Sequence, residues 1–320
     1  MVLAMIGFWG ELPRPFFIQA PMEDVTDAAF RRLIARFGKP HIFFTEFTSA
    51  DGLVLAPEHG QKVLRAKLMF APEERPIVAQ LFSAIPERME AAARIVADLG
   101  FDGIDINMGC PDKAVEKSGC GAALIKTPAL ARELIRAAKR GGGGLPVSVK
   151  TRMGYNKDEM DTWLPELFAE EPVNLTLHLR TRKEMSLVPA HWEAASRMVA
   201  IRDKVSPQTL VTGNGDVTDL RDARAKAEES GIDGIMLGRA IYGNPWLYAE
   251  RATPPTPEER ITALAAHIKL FDELLGDVSN FATMKKHFKA YLSGWDHAKE
   301  LRTQMMETKT AEEALAILSA

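Results

Sequence analysis

Residues 103–124 read GIDINMGCPDKAVEKSGCGAAL, a short apolar strand pattern that breaks into a turn and returns through glycines. The break is Gly109-Cys110-Pro111. Proline fixes its own φ and pushes the preceding residue towards an extended conformation. Cys110 is therefore held in one direction, just past the strand's C-terminal end. In parallel α/β proteins that end of the sheet faces the ligand site. A lone cysteine in such a turn is as readily a small buried loop residue, so the other strand ends decide between the two readings.

Outward from this segment, apolar runs alternate with helical patterns. PFFIQA (15–20), HIFFTEF (41–47), PIVAQLF (76–82), GIDIN (103–107), LPVSVKTR (145–152), NLTLHL (174–179), QTLVT (208–212) and GIML (234–237) read as strands. Helical patterns at 26–37, 86–99, 128–139, 159–170, 190–204 and 219–230 lie between and after them, with Thr26 as the expected cap of the first. The interval 48–75 is a long excursion, and loops of that length are commonly functional. Such alternation makes a parallel sheet. Eight strand–helix units in roughly 240 residues are what a closed (β/α)8 TIM barrel requires. An open doubly wound sheet is the alternative, but no GxGxxG follows the first strand.

After residue 250 the texture changes. RATPPTP (251–257) has no apolar periodicity and reads as a linker, and 258–320 is helical throughout with breaks at Gly276 and Gly294. The expected division is a barrel at 1–250, a linker at 251–257 and a small all-helical domain at 258–320. The formal net charge of −3 gives no whole-chain signal for a polyanion, so any nucleic-acid contact must be a local patch. One candidate is Lys285-Lys286-His287-Phe288-Lys289-Ala290-Tyr291, although a charged run is more often a solvated helix face.

Two cysteines, Cys110 and Cys120, form no disulfide framework and are too few for a zinc site, which points to a reducing cytoplasm and no metal. Cys120 is read as structural. No run approaches the roughly 18 apolar residues of a membrane span. Residues 1–9 are apolar but lack a basic leader, so no signal peptide is expected. A monomer is the default expectation.

The strand ends, placed side by side, offer a constellation: Pro21, Met22 and Glu23; Glu46; Gln80; Asn107 and Cys110; Lys150; His178 and Arg180; Asn214, Gly215 and Asp216; Gly238 and Arg239. So many polar residues closing apolar strands exceed what capping a barrel core needs. Loops after the seventh and eighth strands of barrels commonly form a phosphate site. Gly213, Gly215 and Gly238 permit close backbone approach there, and Arg239 supplies a bidentate donor. Lys150 ends a buried strand, where a cation is costly unless paired with an anion. It would stabilise the negative pyrimidine edge of a reduced flavin, or else make an internal pair with Glu46 or Asp105. His178 could donate to the same ring, or be a satisfied core histidine.

These residues carry a resemblance to the tRNA-dihydrouridine synthase family, FMN-dependent flavoproteins that reduce uridine in tRNA. The matching pieces are Ala20-Pro21-Met22 with Thr26-Asp27, Thr45-Glu46-Phe47, Gln80-Leu81, and Asn107 to Pro111. They continue through Gly119 to Leu124, Val147 to Arg152, Asn214-Gly215-Asp216, Gly238-Arg239, Asn244-Pro245-Trp246, and Lys286-His287 with Tyr291-Leu292. The resemblance implies that Pro21, Met22, Gln80, Lys150, His178, Asn214, Gly215, Gly238 and Arg239 bind FMN; Glu23 and Asp216, beside them in the motifs, are included in that expected set. It implies NADPH as electron donor, Cys110 as proton donor and Asn107 as a uracil contact. Arg180 joins the expected substrate residues, and Lys285, Lys286, His287, Lys289 and Tyr291 the expected tRNA grip. One departure is Leu179, where the family usually has glycine between the histidine and the arginine. The alternatives are another FMN-barrel pyrimidine oxidoreductase, such as one resembling dihydroorotate dehydrogenase, and a non-catalytic tRNA-binding protein.

Overall fold

The computed structural model describes residues 6–319. Its centre is a ring of parallel strands: β1 (Phe16–Gln19), β2 (Phe43–Phe44), β3 (Thr48–Ser49), β4 (Ile77–Phe82), β5 (Gly103–Met108), β6 (Val147–Arg152), β7 (Asn174–His178), β8 (Leu210–Asn214) and β9 (Gly234–Leu237). The order is β1-β9-β8-β7-β6-β5-β4-β2, with β3 also on β4. A bridge between Ile18 and Ile42 closes the ring. There the Gln19 N–H donates to the Ile42 carbonyl at 3.1 Å, and the His41 N–H to that of Phe17 at 3.0 Å. The architecture is the expected (β/α)8 barrel with helices after it. The single strand expected at 41–47 is split into β2 and β3, because Glu46 between them turns inward to accept the Asp24 N–H at 2.6 Å.

Alternation along the strands fills the barrel in two layers of different character. Towards the N-terminal mouth, Phe16, Ile18, Ile42, Phe44 and Val78 pack into one apolar cluster, which Met236 joins from the cavity at the other mouth. Trp9, on the turn Gly7–Glu11, is wholly buried against them and meets Phe16 edge-on at 5.8 Å. It plugs that mouth. Residues 1–5 of the apolar N-terminal stretch lie outside the described residues. Above this layer the interior is polar. Gln80, Asp105, Ser148, Asn174, Thr176 and Thr212 are all fully buried and hydrogen-bonded in two groups, as buried polar groups must be.

The outer ring comprises α1 (Ala28–Phe37), α2 (Ala50–Leu55), α3 (Glu58–Lys67), α4 (Pro86–Asp98), the short α5 (Lys113–Lys117), α6 (Pro128–Gly141), α7 (Met160–Phe168), α8 (Ala195–Val205) and α9 (Leu220–Ser230). The long excursion at 48–75 thus holds two helices. Asp27 caps α1 by accepting the Phe30 N–H at 2.8 Å, while the expected cap Thr26 instead accepts from Met22 at 2.9 Å. Gly141 lets α6 lie directly on α4, since a Cβ there would sit 2.0 Å from the Glu90 carbonyl oxygen.

The C-terminal region is α10 (Pro257–Leu275), α11 (Lys285–Tyr291), α12 (Ala298–Glu307) and α13 (Ala311–Ser319). Thr256 and Glu259 form a reciprocal capping box that starts α10. These helices share one continuous apolar cluster with the barrel. At the seam Phe30 of α1 faces His267 and His287, with ring centroids 4.9 Å away in each case.

Among the described residues neither imidazole has a hydrogen-bond partner, and burial pushes His287 down to about 3 and His267 well below 6.5. The unfolded chain takes up protons on these rings below about pH 6.5 and the folded chain does not. Their contribution is therefore complete above that pH and falls as acid is added, by about 1.4 kcal/mol per pH unit for each ring. Asp27 and Asp105, raised by burial to about 6, act oppositely in the same window. The informative test is thus a difference. His287→Leu should gain stability relative to the parent by about 1.4 kcal/mol for each pH unit between about 6 and 4 in urea unfolding. A gap that does not change with pH would refute this.

Candidate active site

The ends of β1, β6, β7, β8 and β9 surround a cavity at the C-terminal mouth of the barrel. Its wall brings together Pro21, Met22, Lys150, His178, Arg180, Asn214, Gly215, Asp216, Gly238 and Arg239. Ser186, from the loop after β7, also lines it and was not expected. Glu23 is not on this wall, because its carboxylate pairs with Lys67. Gln80 and Asn107 are not on it either. They lie buried beneath the mouth, bonded to each other at 3.0 Å.

The cavity is built to receive negative charge. Burial lowers Lys150 to about 8, with Arg152 pushing the same way and Asp105 opposing. Glu46, one expected partner of this lysine, faces Lys67 instead, and its own burial raises it to about 8. Burial, then Arg152 and Lys150, hold His178 well below 6.5, so it is a neutral ring at physiological pH. Its Nδ1 is buried with no partner. Arg180 is held by the Val188 carbonyl at 2.6 Å and by Asp216. Asp216 also pairs with Arg239 and accepts the Ala190 N–H at 2.9 Å. Pulled down by Arg180, this carboxylate orients two arginines and is itself unsuited to an anion. Gly215 has φ +129°, and a Cβ on it would lie 2.8 Å from that of Ala190, so only glycine serves there. The Asn214 Nδ2 donates to the Met236 carbonyl at 2.8 Å.

Cys110 stands on the neighbouring strand end, half-buried, and does not touch the cavity wall. The side-chain oxygen of Asn107 accepts both the Gly109 N–H at 3.1 Å and the Cys110 N–H at 2.9 Å. The Cys110 carbonyl accepts from Ala122 at 2.9 Å, and the Arg152 Nε donates to the Gly109 carbonyl at 2.8 Å. The cysteine turn is thus tied to β5, to β6 and to its own return loop. Burial pushes the thiol above the usual cysteine range, with Lys150 and Arg152 pulling the other way. Cys120 is buried, with its sulfur 3.6 Å from the Ser118 carbonyl, consistent with a structural role. Leu179 is fully buried in the apolar core and off the cavity wall, so the larger residue does not narrow the mouth.

The expected tRNA grip needs correction. His287 and Tyr291 are fully buried at the seam between barrel and helices, and cannot meet RNA. Lys285 donates to the Met306 carbonyl at 2.7 Å and Lys286 pairs with Asp24 at 3.3 Å, which leaves Lys289 exposed and, among the described residues, without an ion pair. Four further lysines, a basic rim, come from the segments that follow β5 and β7. Lys113 and Lys117 on α5, Lys126 and Lys183 are exposed, and among the described residues none is in an ion pair. Three loops are gathered here. Arg182 pairs with Glu116, and both Lys126, at 3.5 Å, and Arg182, at 5.3 Å, face the Tyr155 ring.

A family model described as Dihydrouridine synthase (Dus) matches residues 18–320. A Staphylococcus aureus (strain COL) protein described as "Probable tRNA-dihydrouridine synthase" is 45% identical over 314 residues, covering 98% of this chain and 94% of its own length. "Probable tRNA-dihydrouridine synthase 2" of Bacillus subtilis (strain 168) is also 45% identical over 314 residues, covering 98% and 95%. Among solved structures, morphinone reductase in complex with tetrahydroNAD aligns with TM-score 0.51 at 13% identity, covering 79% of this chain and 92% of that one. Histamine dehydrogenase from Rhizobium sp. 4-9 aligns with TM-score 0.53 at 15% identity, covering 79% and 48%. At such identities the structural likeness is one of fold, a (β/α)8 barrel.

Proposed function

The chain belongs to the dihydrouridine synthase family and reduces uridine in tRNA, and we propose that it does so with FMN in the cavity at the barrel mouth, electrons from NADPH and a proton from Cys110. The observation that carries this reading is the convergence of half-buried Lys150, neutral His178 and Arg239 on one cavity, beside a strand end that presents a protonated thiol. The residues suit the cofactor. The unpartnered His178 Nδ1 and the Lys150 ammonium fit the polar edge of an isoalloxazine. Gly215, Gly238 and Arg239 fit its phosphate.

When bound, the flavin supplies a hydride to carbon 6 of the uracil. Cys110 gives its proton to carbon 5 from the other face. A carboxylic acid would already be ionised at neutral pH, whereas a thiol raised by burial is still an acid. The base must be unstacked to reach the mouth, which requires a looped-out or extruded nucleotide. A free-pyrimidine oxidoreductase would have no use for the rim lysines. A pure binding protein would have no use for a cation set into the cavity wall.

Mapping dihydrouridine in tRNA from cells lacking this protein tests the function: a specific uridine should remain unreduced. A purified protein that stays colourless with added FMN would favour the binding module. The rim makes a second prediction. Changing Lys113, Lys117, Lys126 and Lys183 to glutamine should raise KM for tRNA and lower its dependence on salt, by about 0.7–0.9 in log–log slope for each phosphate no longer neutralised. NADPH oxidation without tRNA should be unaffected. An unchanged slope would remove the rim from the tRNA path.

A further inference from the structure

Asp105 is a fully buried carboxylate in the middle of β5, flanked by Ile104 and Ile106, and it is not on the cavity wall. Nothing in the reaction above uses it. An acidic group at such a place is costly unless its neighbours are arranged around it. Its Oδ1 accepts the Ser148 hydroxyl at 2.6 Å and its Oδ2 accepts the Gln80 Nε2 at 2.7 Å. The string continues without a gap. Gln80 Oε1 accepts the Asn107 Nδ2 at 3.0 Å, and Asn107 Oδ1 accepts the backbone N–H groups of Gly109 and Cys110.

We infer that Asp105 is a positioning residue for Cys110, acting through the enforced orientations of the Gln80 and Asn107 amides. The two ends of an amide are nearly the same shape and opposite in hydrogen-bonding sense. The string is one-sided at both ends: the Gly109 and Cys110 N–H groups can only donate to Asn107, and the group at position 105 sets the other end. An ionised carboxylate only accepts, so Gln80 must turn its NH2 towards Asp105 and its oxygen towards Asn107. Asn107 must then turn its NH2 to Gln80 and its oxygen to the cysteine turn. Reversing Gln80 would set like against like at two contacts, and reversing Asn107 at three. The buried charge and the backbone donors thereby demand the same arrangement, and Asp105 holds its near end, three hydrogen bonds from the cysteine turn. This inference deepens the proposed function and rests on it, because it concerns the proton that Cys110 donates.

The test is Asp105→Asn in the flavin-loaded enzyme, a change that keeps the shape of the side chain and loses its one-sidedness. Dihydrouridine formation at saturating tRNA should fall about 10- to 100-fold, the cost of a misplaced catalytic group. Flavin content should hold, and the solvent deuterium isotope effect on turnover should rise as proton transfer becomes limiting. The double variant Asp105→Asn/Gln80→Glu moves the acceptor-only group to position 80. There it can accept both from the new amide at position 105 and from the Asn107 Nδ2, and it should recover most of the lost rate. Asp105→Asn within twofold of the parent would overturn the inference, as would a double variant no better than the single one. If Asp105→Asn does not fold, Gln80→Met breaks the same string, and full activity in that variant would overturn it equally. A parent enzyme that forms no dihydrouridine would defeat the function itself and not this assignment.

Discussion

Cys110→Ala is expected to keep bound flavin and NADPH oxidation while dihydrouridine formation falls about 10²- to 10⁴-fold, the usual contribution of one positioned acid. The expectation follows from position. Cys110 is not among the residues that line the cavity, so its loss leaves that wall as it is. Its turn is held by backbone bonds to Asn107 and Ala122, which alanine preserves. The acid must be protonated, so activity is lost as pH rises through the thiol's value. Burial raises that value, so the proton-transfer step should show an alkaline limb above the ordinary cysteine range that vanishes in the variant, while the limb set by Lys150, lowered to about 8, stays in both. Product formation by Cys110→Ala at the parent rate would refute the role.

Lys150→Met should have the next largest effect. Lys150 is a cation on the cavity wall, and Asp105 is the carboxylate that partly offsets its desolvation. If it faces the pyrimidine edge of a flavin, its removal should lower the midpoint potential of the bound cofactor and slow its reduction about 10²- to 10³-fold, as for removal of one preorganised electrostatic partner. If its function were only to balance Asp105, the variant would instead lose about 3–5 kcal/mol of stability from an uncompensated buried charge. The potential would then be unchanged. Redox titration and urea unfolding of the same preparation separate the two.

Most of the barrel was legible because each strand is a compact apolar run, and the observed bounds differ from the expected ones by a residue or two at β1, β5, β6 and β8. The second strand was misjudged because HIFFTEF has strand composition throughout, and only the inward turn of Glu46 divides it. The cavity residues were legible as polar groups ending apolar strands. Asp105 was also visible, an acid between two isoleucines, but its partners Gln80 and Ser148 come from strands far away in sequence. The mistaken tRNA residues show a different limit. His287 and Tyr291 are four apart on α11 and share its buried face, while Lys285, Lys286 and Lys289 lie off it. Read by composition the segment is a basic patch; read by helical period it is a seam with a charged back. The rim lysines had no local signal, since they come from separate loops that only the fold gathers.

The central claim is that hydride and proton reach the uracil from opposite faces. Turnover in D2O with a deuterated nicotinamide donor would place deuterium at carbons 5 and 6 of the product. The account predicts that the two deuterons are trans across that bond by NMR coupling, and a cis product would contradict it.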